Sequence, residues 1–183
     1  ILDQPIEEME VTKETPKISG DIVFENVYFE YEEGKPVLNG ISFHAQAGQT
    51  IGVLGHTGSG KSSLIQLLGR LYDYQQGSIR IDGHELKMLD KKWVRQNVGI
   101  VPQEPFLFAK TIRENIALAS PDATDDMIET AAREAAIHDV IMKFEKGYDT
   151  LVGERGVSVS GGQRQRIAIA RVLISNTPIV IFD

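Results

Sequence analysis

Gly55-His56-Thr57-Gly58-Ser59-Gly60-Lys61-Ser62 fits the spacing G-x-x-x-x-G-K-[ST], and its flanks decide the fold. Thr50 to Leu54 is a short apolar run that reads as a strand leading into this loop. Lys61 to Leu71 follows with helical spacing, placing Leu64, Leu67, Leu68 and Leu71 on one face. Strand, glycine-rich loop and helix in that order form the context the pattern requires. Glycines let the backbone adopt conformations closed to other residues, so that several N–H groups point inward. With the helix N-terminus, those groups make a site for the phosphates of a nucleotide. Lys61 brings a cation to the β- and γ-phosphates, and the Ser62 hydroxyl is a ligand for Mg²⁺. The competing reading is a plain strand-to-helix turn with a surface lysine; the full match in its context disfavours it. His56 stands at a position in the loop that accepts many residues, and it is assigned no role.

Outward from the loop, Ile22 to Tyr31 and Val37 to Phe43 read as strands around the turn at Glu32 to Pro36. Ser78 to Ile81 is a further strand, ended by Asp82-Gly83. Asp90 caps a short helix reaching Asn97, and the strand Val98 to Val101 is stopped by Pro102. Between Thr111 and Phe144 the pattern turns helical and alanine-rich, with Thr124 and Asp125 starting one helix. This stretch reads as an inserted helical subdomain. Gly147 to Ser160 is a loop, and Gly162 to Ile174 a helix. Pro178 opens a buried strand, Ile179 to Phe182, ending at Asp183. Residues 1–20, with Pro5, Pro16 and the cluster Glu7, Glu8 and Glu10, read as a linker.

Composition narrows the class. The 183 residues are 42% hydrophobic and 25% charged, an ordinary globular balance. There is no cysteine, so disulfides and thiolate metal sites are excluded. The net charge of -7 disfavours a nucleic-acid partner. No apolar run approaches the ~20 residues of a membrane-spanning helix. The start, Ile1-Leu2-Asp3, has neither an initiator Met nor a signal pattern, so the chain reads as a piece of something longer.

A second motif, Val159-Ser160-Gly161-Gly162-Gln163, opens the helix ahead of Arg164-Gln165-Arg166. Free N–H groups and a hydroxyl at the positive end of a helix suit an anion. Ser160 is also a good N-cap whatever else it does, and taken alone the two readings are even. About 100 residues after a phosphate loop, the motif resembles the signature of ABC-type ATPases, with Val where Leu is usual. The resemblance covers residues 22–183. It implies an α/β fold: a P-loop NTPase core of ABC ATPase type, with an antiparallel β edge, an inserted helical subdomain and a missing carboxyl-terminal part. The implied division is a linker at 1–20, a core at 21–103 and 164–183, and a helical signature subdomain at 104–163.

The resemblance also implies a site. ATP would be held by Gly55, Thr57, Gly58, Ser59, Gly60, Lys61, Ser62 and Ser63. Gln103 matches the Q-loop, which contacts Mg²⁺ or the attacking water; by itself it is a polar loop residue after a strand. Tyr31 resembles the aromatic that stacks on adenine, although a strand-end aromatic can simply pack on its sheet, and Tyr28 and Phe29 compete. Asp183, after four apolar residues, resembles the Walker B acid that holds Mg²⁺ through water. Lys61, Gln103 and Asp183 form the catalytic set, and Ser62, Gln103 and Asp183 the metal set. Ser160, Gly161, Gly162 and Gln163 would meet nucleotide held by a second ABC ATPase domain. Leu151 to Gly156 resembles the X-loop of exporters, and Thr111 to Ile116 is typical of them, which implies transmembrane domains as further partners. The domain would then lie at the cytoplasmic face of the cell membrane, and an ATPase would drive export.

The general base of the family follows the Walker B Asp, at a position beyond Asp183, so this piece alone is expected to turn ATP over poorly. Two other readings stand beside the exporter: a non-hydrolysing half of a heterodimer, and a soluble ABC ATPase without membrane spans.

Overall fold

Phe24 and Val27 are both buried, yet they are an odd number of residues apart, which in a regular strand puts them on opposite faces. The computed structural model, which describes residues 15–153 and 158–183, resolves this with a bulge. The register of β1 (Ile22–Glu30) on its neighbours shifts between Phe24 and Val27, and Asn26 takes φ 47°. Phe24, Val27 and Phe29 thus all reach the core. Opposite the bulge, Gly77 has φ 88°, and a Cβ there would lie 2.3 Å from the Asn26 carbonyl oxygen, so only glycine fits.

By contact density the chain divides into two units, Ile1–Asn97 and Val98–Asp183. The first is built on an antiparallel sheet of order β2-β1-β3-β4, with β2 at Pro36–Ala45, β3 at Gln76–Ile81 and β4 at His84–Glu85. Helix α1 is Lys61–Leu68 and α2 is Lys91–Asn97. Asp90 Oδ1 accepts from Trp93 N at 2.7 Å, the expected cap of α2. Leu67 and Leu68 are buried, whereas Leu71 lies past the end of α1 and is exposed. The linker expected at 1–20 falls partly outside the described residues. Its described end is clasped by Asp82, whose carboxylate accepts from the amides of Ser19 at 2.6 Å, Gly20 at 3.2 Å and Asp21 at 2.9 Å.

One expected strand does not form. Residues 50–54 have no ladder partner among the described residues, and Ile51, Val53 and Leu54 are exposed. An apolar run becomes a strand only when its N–H and C=O groups are paired by a neighbour.

In the second unit, β5 (Val98–Val101) and β6 (Ile179–Phe182) pair in parallel, with Val98 opposite Ile179 and Val101 opposite Phe182. A parallel connection needs a crossover, and the helices between supply it. They are α3 (Ile112–Ile116), α4 (Asp125–Glu134), α5 (His138–Ile141) and α6 (Gly161–Leu173). Their core joins Leu107, Ile112, Ile116, Ile128, Ile141 and Ile167 with Ala132 and Ala170, whose small side chains let the helices approach closely. Helix α6 also packs on β5, where Gly99 leaves room for Val172 and Thr177. Strand β6 was expected to be buried; it is covered on one face only, with Ile179 buried and Val180 and Phe182 exposed.

Candidate nucleotide site

The phosphate loop closes on itself through its lysine. Lys61 Nζ donates to the carbonyls of Gly55 at 2.8 Å and His56 at 2.9 Å, which places the ammonium inside the curl of the backbone. The loop is tightened by Ser59 N donating to His56 O at 3.2 Å. Gly58 and Gly60 adopt φ 82° and 89°, a region that side chains disfavour. Gly60 is the N-cap of α1 and supplies no side-chain acceptor. The amides of Gly58, Gly60 and Lys61 have no partner among the described residues. Unspent donors at a helix start with a cation beside them form an anion site. Ser62 follows Lys61 and is exposed on the first turn of α1. Ser63 is buried, and its hydroxyl lies 2.9 Å from that of Tyr31. A Cβ at Gly55 would lie 2.5 Å from Ser59 Oγ, so a side chain there would force the serine hydroxyl to turn away.

Tyr31 stands beside this helix. Its hydroxyl donates to Gln66 Oε1 at 2.5 Å, and its ring packs edge-to-face with Phe29 and Tyr72 at 4.7 and 5.0 Å. The residue is nevertheless 47% exposed. Tyr28 points elsewhere, with its hydroxyl over Gly40.

Gln103 and Asp183 are brought together in the second unit. Val101 and Phe182 are ladder partners at the carboxyl ends of β5 and β6. Asp183 continues β6, with its amide donating to Val101 O at 3.0 Å, while Gln103 stands just past β5. Both therefore emerge at the edge where open parallel sheets place their ligands. An amide carbonyl and a carboxylate, from Gln103 and Asp183, are hard oxygen donors of the kind Mg²⁺ takes.

The start of α6 is built differently. Ser160 Oγ accepts from Gln163 N at 3.2 Å, and Gln163 Oε1 accepts from Ser160 N at 2.8 Å, a complete capping box. The amides of Gly161 and Gly162 have no partner among the described residues, and nothing lies within 4 Å of a Cβ at either position. Gln165 Nε2 donates to Pro102 O at 3.3 Å, tying this helix to the segment that carries Gln103.

Sequence reasoning missed the residues that fix the next stretch. Asn115 is fully buried; its Oδ1 accepts from Phe108 N at 2.9 Å, and its Nδ2 donates to Phe108 O at 3.0 Å. Arg171, on α6, donates to Asn115 O at 2.8 Å and Phe106 O at 3.1 Å. Burial lowers the Arg171 pKa from its ordinary value. The only sequence signal was a polar pair within helices otherwise facing a core. Of the X-loop stretch, Leu151 to Gly153 is described and pairs with the segment before α3, where Val152 N donates to Lys110 O at 3.0 Å. Glu154, Arg155 and Gly156 lie outside the described residues.

Comparison with known proteins places the fold and the family. The family described as ABC transporter matches residues 38–183. The alpha-hemolysin translocation ATP-binding protein HlyB of Escherichia coli O157:H7 is 47% identical over 184 aligned residues, which are 100% of this chain and 26% of that protein. The leukotoxin translocation ATP-binding protein LktB of Mannheimia glucosida is 44% identical over the same extent. The chain thus spans about a quarter of the length of these curated relatives. A solved structure, that of a bacterial Atm1-family ABC exporter with ATP bound, matches at TM-score 0.93 and 40% identity, covering 100% of this chain and 32% of that one. The α/β P-loop architecture with an antiparallel edge and a helical insertion is therefore the fold in hand. A family match from Leu38 to Asp183, shared with relatives at this level of identity, makes the chain a member of the ABC transporter family.

Proposed function

We propose that this chain binds ATP through residues 55–63 and that, in its full-length protein, ATP hydrolysis powers export across a membrane. One observation carries the reading: the Lys61 ammonium lies inside a backbone curl whose amides stand at the start of α1. Family membership and the names of the relatives support it. The core is 21–103 with 164–183, the helical subdomain 104–163, and residues 1–20 the linker from membrane spans elsewhere in the protein. None of the described helices is itself long and apolar enough to cross a membrane. The domain works at the cytoplasmic face.

In this reading the amides of the loop bind the phosphates, and Lys61 exchanges its carbonyl partners for phosphate oxygens. Tyr31 stacks on the base. Mg²⁺, when bound, neutralises charge on the β- and γ-oxygens. Ser62, Gln103 and Asp183 would hold it, and Gln103 would contact the metal or the attacking water. Positioning and charge stabilisation account for most of the rate. A second ABC ATPase domain closes over the nucleotide with its Ser160 to Gln163 segment, and the two open amides of Gly161 and Gly162 are suited to a γ-phosphate. The exposed Phe106 and Phe108, packed edge-to-face on each other, offer an apolar surface to the transmembrane domains.

The test is Lys61→Ala in the full-length protein, in membranes. ATPase activity should fall by about 10²–10³, and transport with it. Unchanged hydrolysis would remove the phosphate loop from the mechanism.

A further inference from the structure

Tyr31 is held at its tip, its edges and its backbone. The tip carries one proton, which goes to Gln66 Oε1 at 2.5 Å. The Ser63 hydroxyl, 2.9 Å away, is then the donor to Tyr31, and the bonds run from Ser63 to Tyr31 to Gln66. Ser63 is only 5% exposed, so its hydroxyl depends on this partner. Phe29 and Tyr72 meet the ring edge-to-face. Gln75 holds the backbone just before it: its side-chain amide accepts from Glu30 N and donates to Glu30 O, each at 3.0 Å. The ring still leaves 47% of the residue exposed. These contacts fix the ring in one orientation while leaving the residue half exposed.

Ser63 and Gln66 stand at i and i+3 on α1, so they share a face of the helix that begins with Lys61. The Tyr31 hydroxyl therefore ties the ring to the helix whose first residues carry the phosphate loop. We propose that Gln66, with Ser63, is a positioning residue for the base end of the nucleotide, holding the Tyr31 ring ready to stack and locking it to the phosphate-binding helix. Gln66 acts only through Tyr31. Orientation fixed before binding lowers the ordering cost at binding. The proposal rests on the ATP reading above and extends it to residues outside the loop.

The experiment measures affinity for ATP and for tripolyphosphate, which has no base, in the full-length protein. The variants are Gln66→Leu, Tyr31→Phe and the double substitution. Each single change should weaken ATP binding about three- to tenfold, the effect of one net hydrogen bond. The double variant should lose no more than about twofold beyond either single one, because both remove the same bond. Tripolyphosphate binding should stay within about twofold throughout, which damage to α1 would not allow. ATP affinity unchanged in the variants, losses that add, or equal losses for both ligands would each overturn the proposal. If Gln66→Leu does not fold, Tyr31→Phe decides alone, since it removes a single oxygen: wild-type ATP affinity there is refutation. A wild-type protein that binds neither ligand would instead overturn the nucleotide reading itself.

Discussion

Two helices of this chain begin on glycine-rich segments, and they begin in opposite ways. Helix α1 starts from Gly60 in a left-handed conformation, with no side chain capping it. Helix α6 starts from Ser160 in an extended conformation, with a closed capping box. The first leaves the amides of Gly60 and Lys61 without a partner among the described residues. The second satisfies its own N-cap and N3 amides and keeps only those of Gly161 and Gly162 open. A helix start of the first kind gains stability when an anion arrives. One of the second kind is stable beforehand and can wait for a partner. That fits a loop that grips nucleotide directly and a segment that meets nucleotide held by another domain.

The largest effect should come from breaking the first start. Gly60→Ala puts a Cβ at φ 89°, 2.7 Å from Leu38 Cδ2 and 3.1 Å from Val37 O. The left-handed strain costs about 1–2 kcal/mol and the overpacking about 1–3 kcal/mol. The leucine methyl can turn away, but the carbonyl is backbone and cannot. Relief requires the loop to shift, which misdirects its amides. Urea unfolding should show a loss of about 2–5 kcal/mol, and ATP affinity should fall about ten- to a hundredfold. A variant as stable and as tight as wild type would show that the left-handed cap does not organise the loop.

The contrast between the starts was legible in sequence because each is local. Glycine spacing and a following Lys-Ser mark one, and Ser-x-x-Gln marks the other. Strands β5 and β6 were legible too, as apolar runs bounded by Pro102, Pro178 and Asp183. Residues 50–54 misled because apolar character gives no information about whether a partner strand is present. The bulge at Asn26 was hidden for a related reason: only the pairing of β1 with its neighbours reveals the shift. Gln66 was invisible because its partner Tyr31 lies 35 residues away, and no local pattern links a strand-end phenol to a helix amide. The juxtaposition of Gln103 and Asp183 needs the register of β5 on β6, which neither strand states by itself.

The second start is broken more gently by Ser160→Ala. Removing the hydroxyl leaves Gln163 N without its acceptor, while the Gln163 side chain still reaches Ser160 N. Loss of such a cap costs about 1 kcal/mol, within a range of roughly 0.5–2 kcal/mol. Urea unfolding without nucleotide should show it. Because the cap is internal to the chain, the loss should be the same whether or not a second domain is present. A loss seen only in the assembled transporter would mean that the box forms on pairing, and the contrast with α1 would shrink.

Gly161→Ala should have the smallest effect on the fold, and of opposite sign. Gly161 is the first residue of α6, and nothing lies within 4 Å of the added Cβ. Its φ lies outside the left-handed region, so alanine meets no backbone strain there. Replacing glycine by alanine in a compatible helical position stabilises by about 0.4–1 kcal/mol, mainly by narrowing the unfolded ensemble. The unfolding midpoint of the isolated domain should therefore rise slightly. In the proposed reading ATPase activity of the full-length protein should fall, because a methyl group would then fill the space left open for nucleotide held by a second domain. Stability and activity moving in opposite directions separates a surface kept bare for a partner from a helix start that is merely capped. If both rise together, the bare glycines at 161 and 162 serve the fold alone.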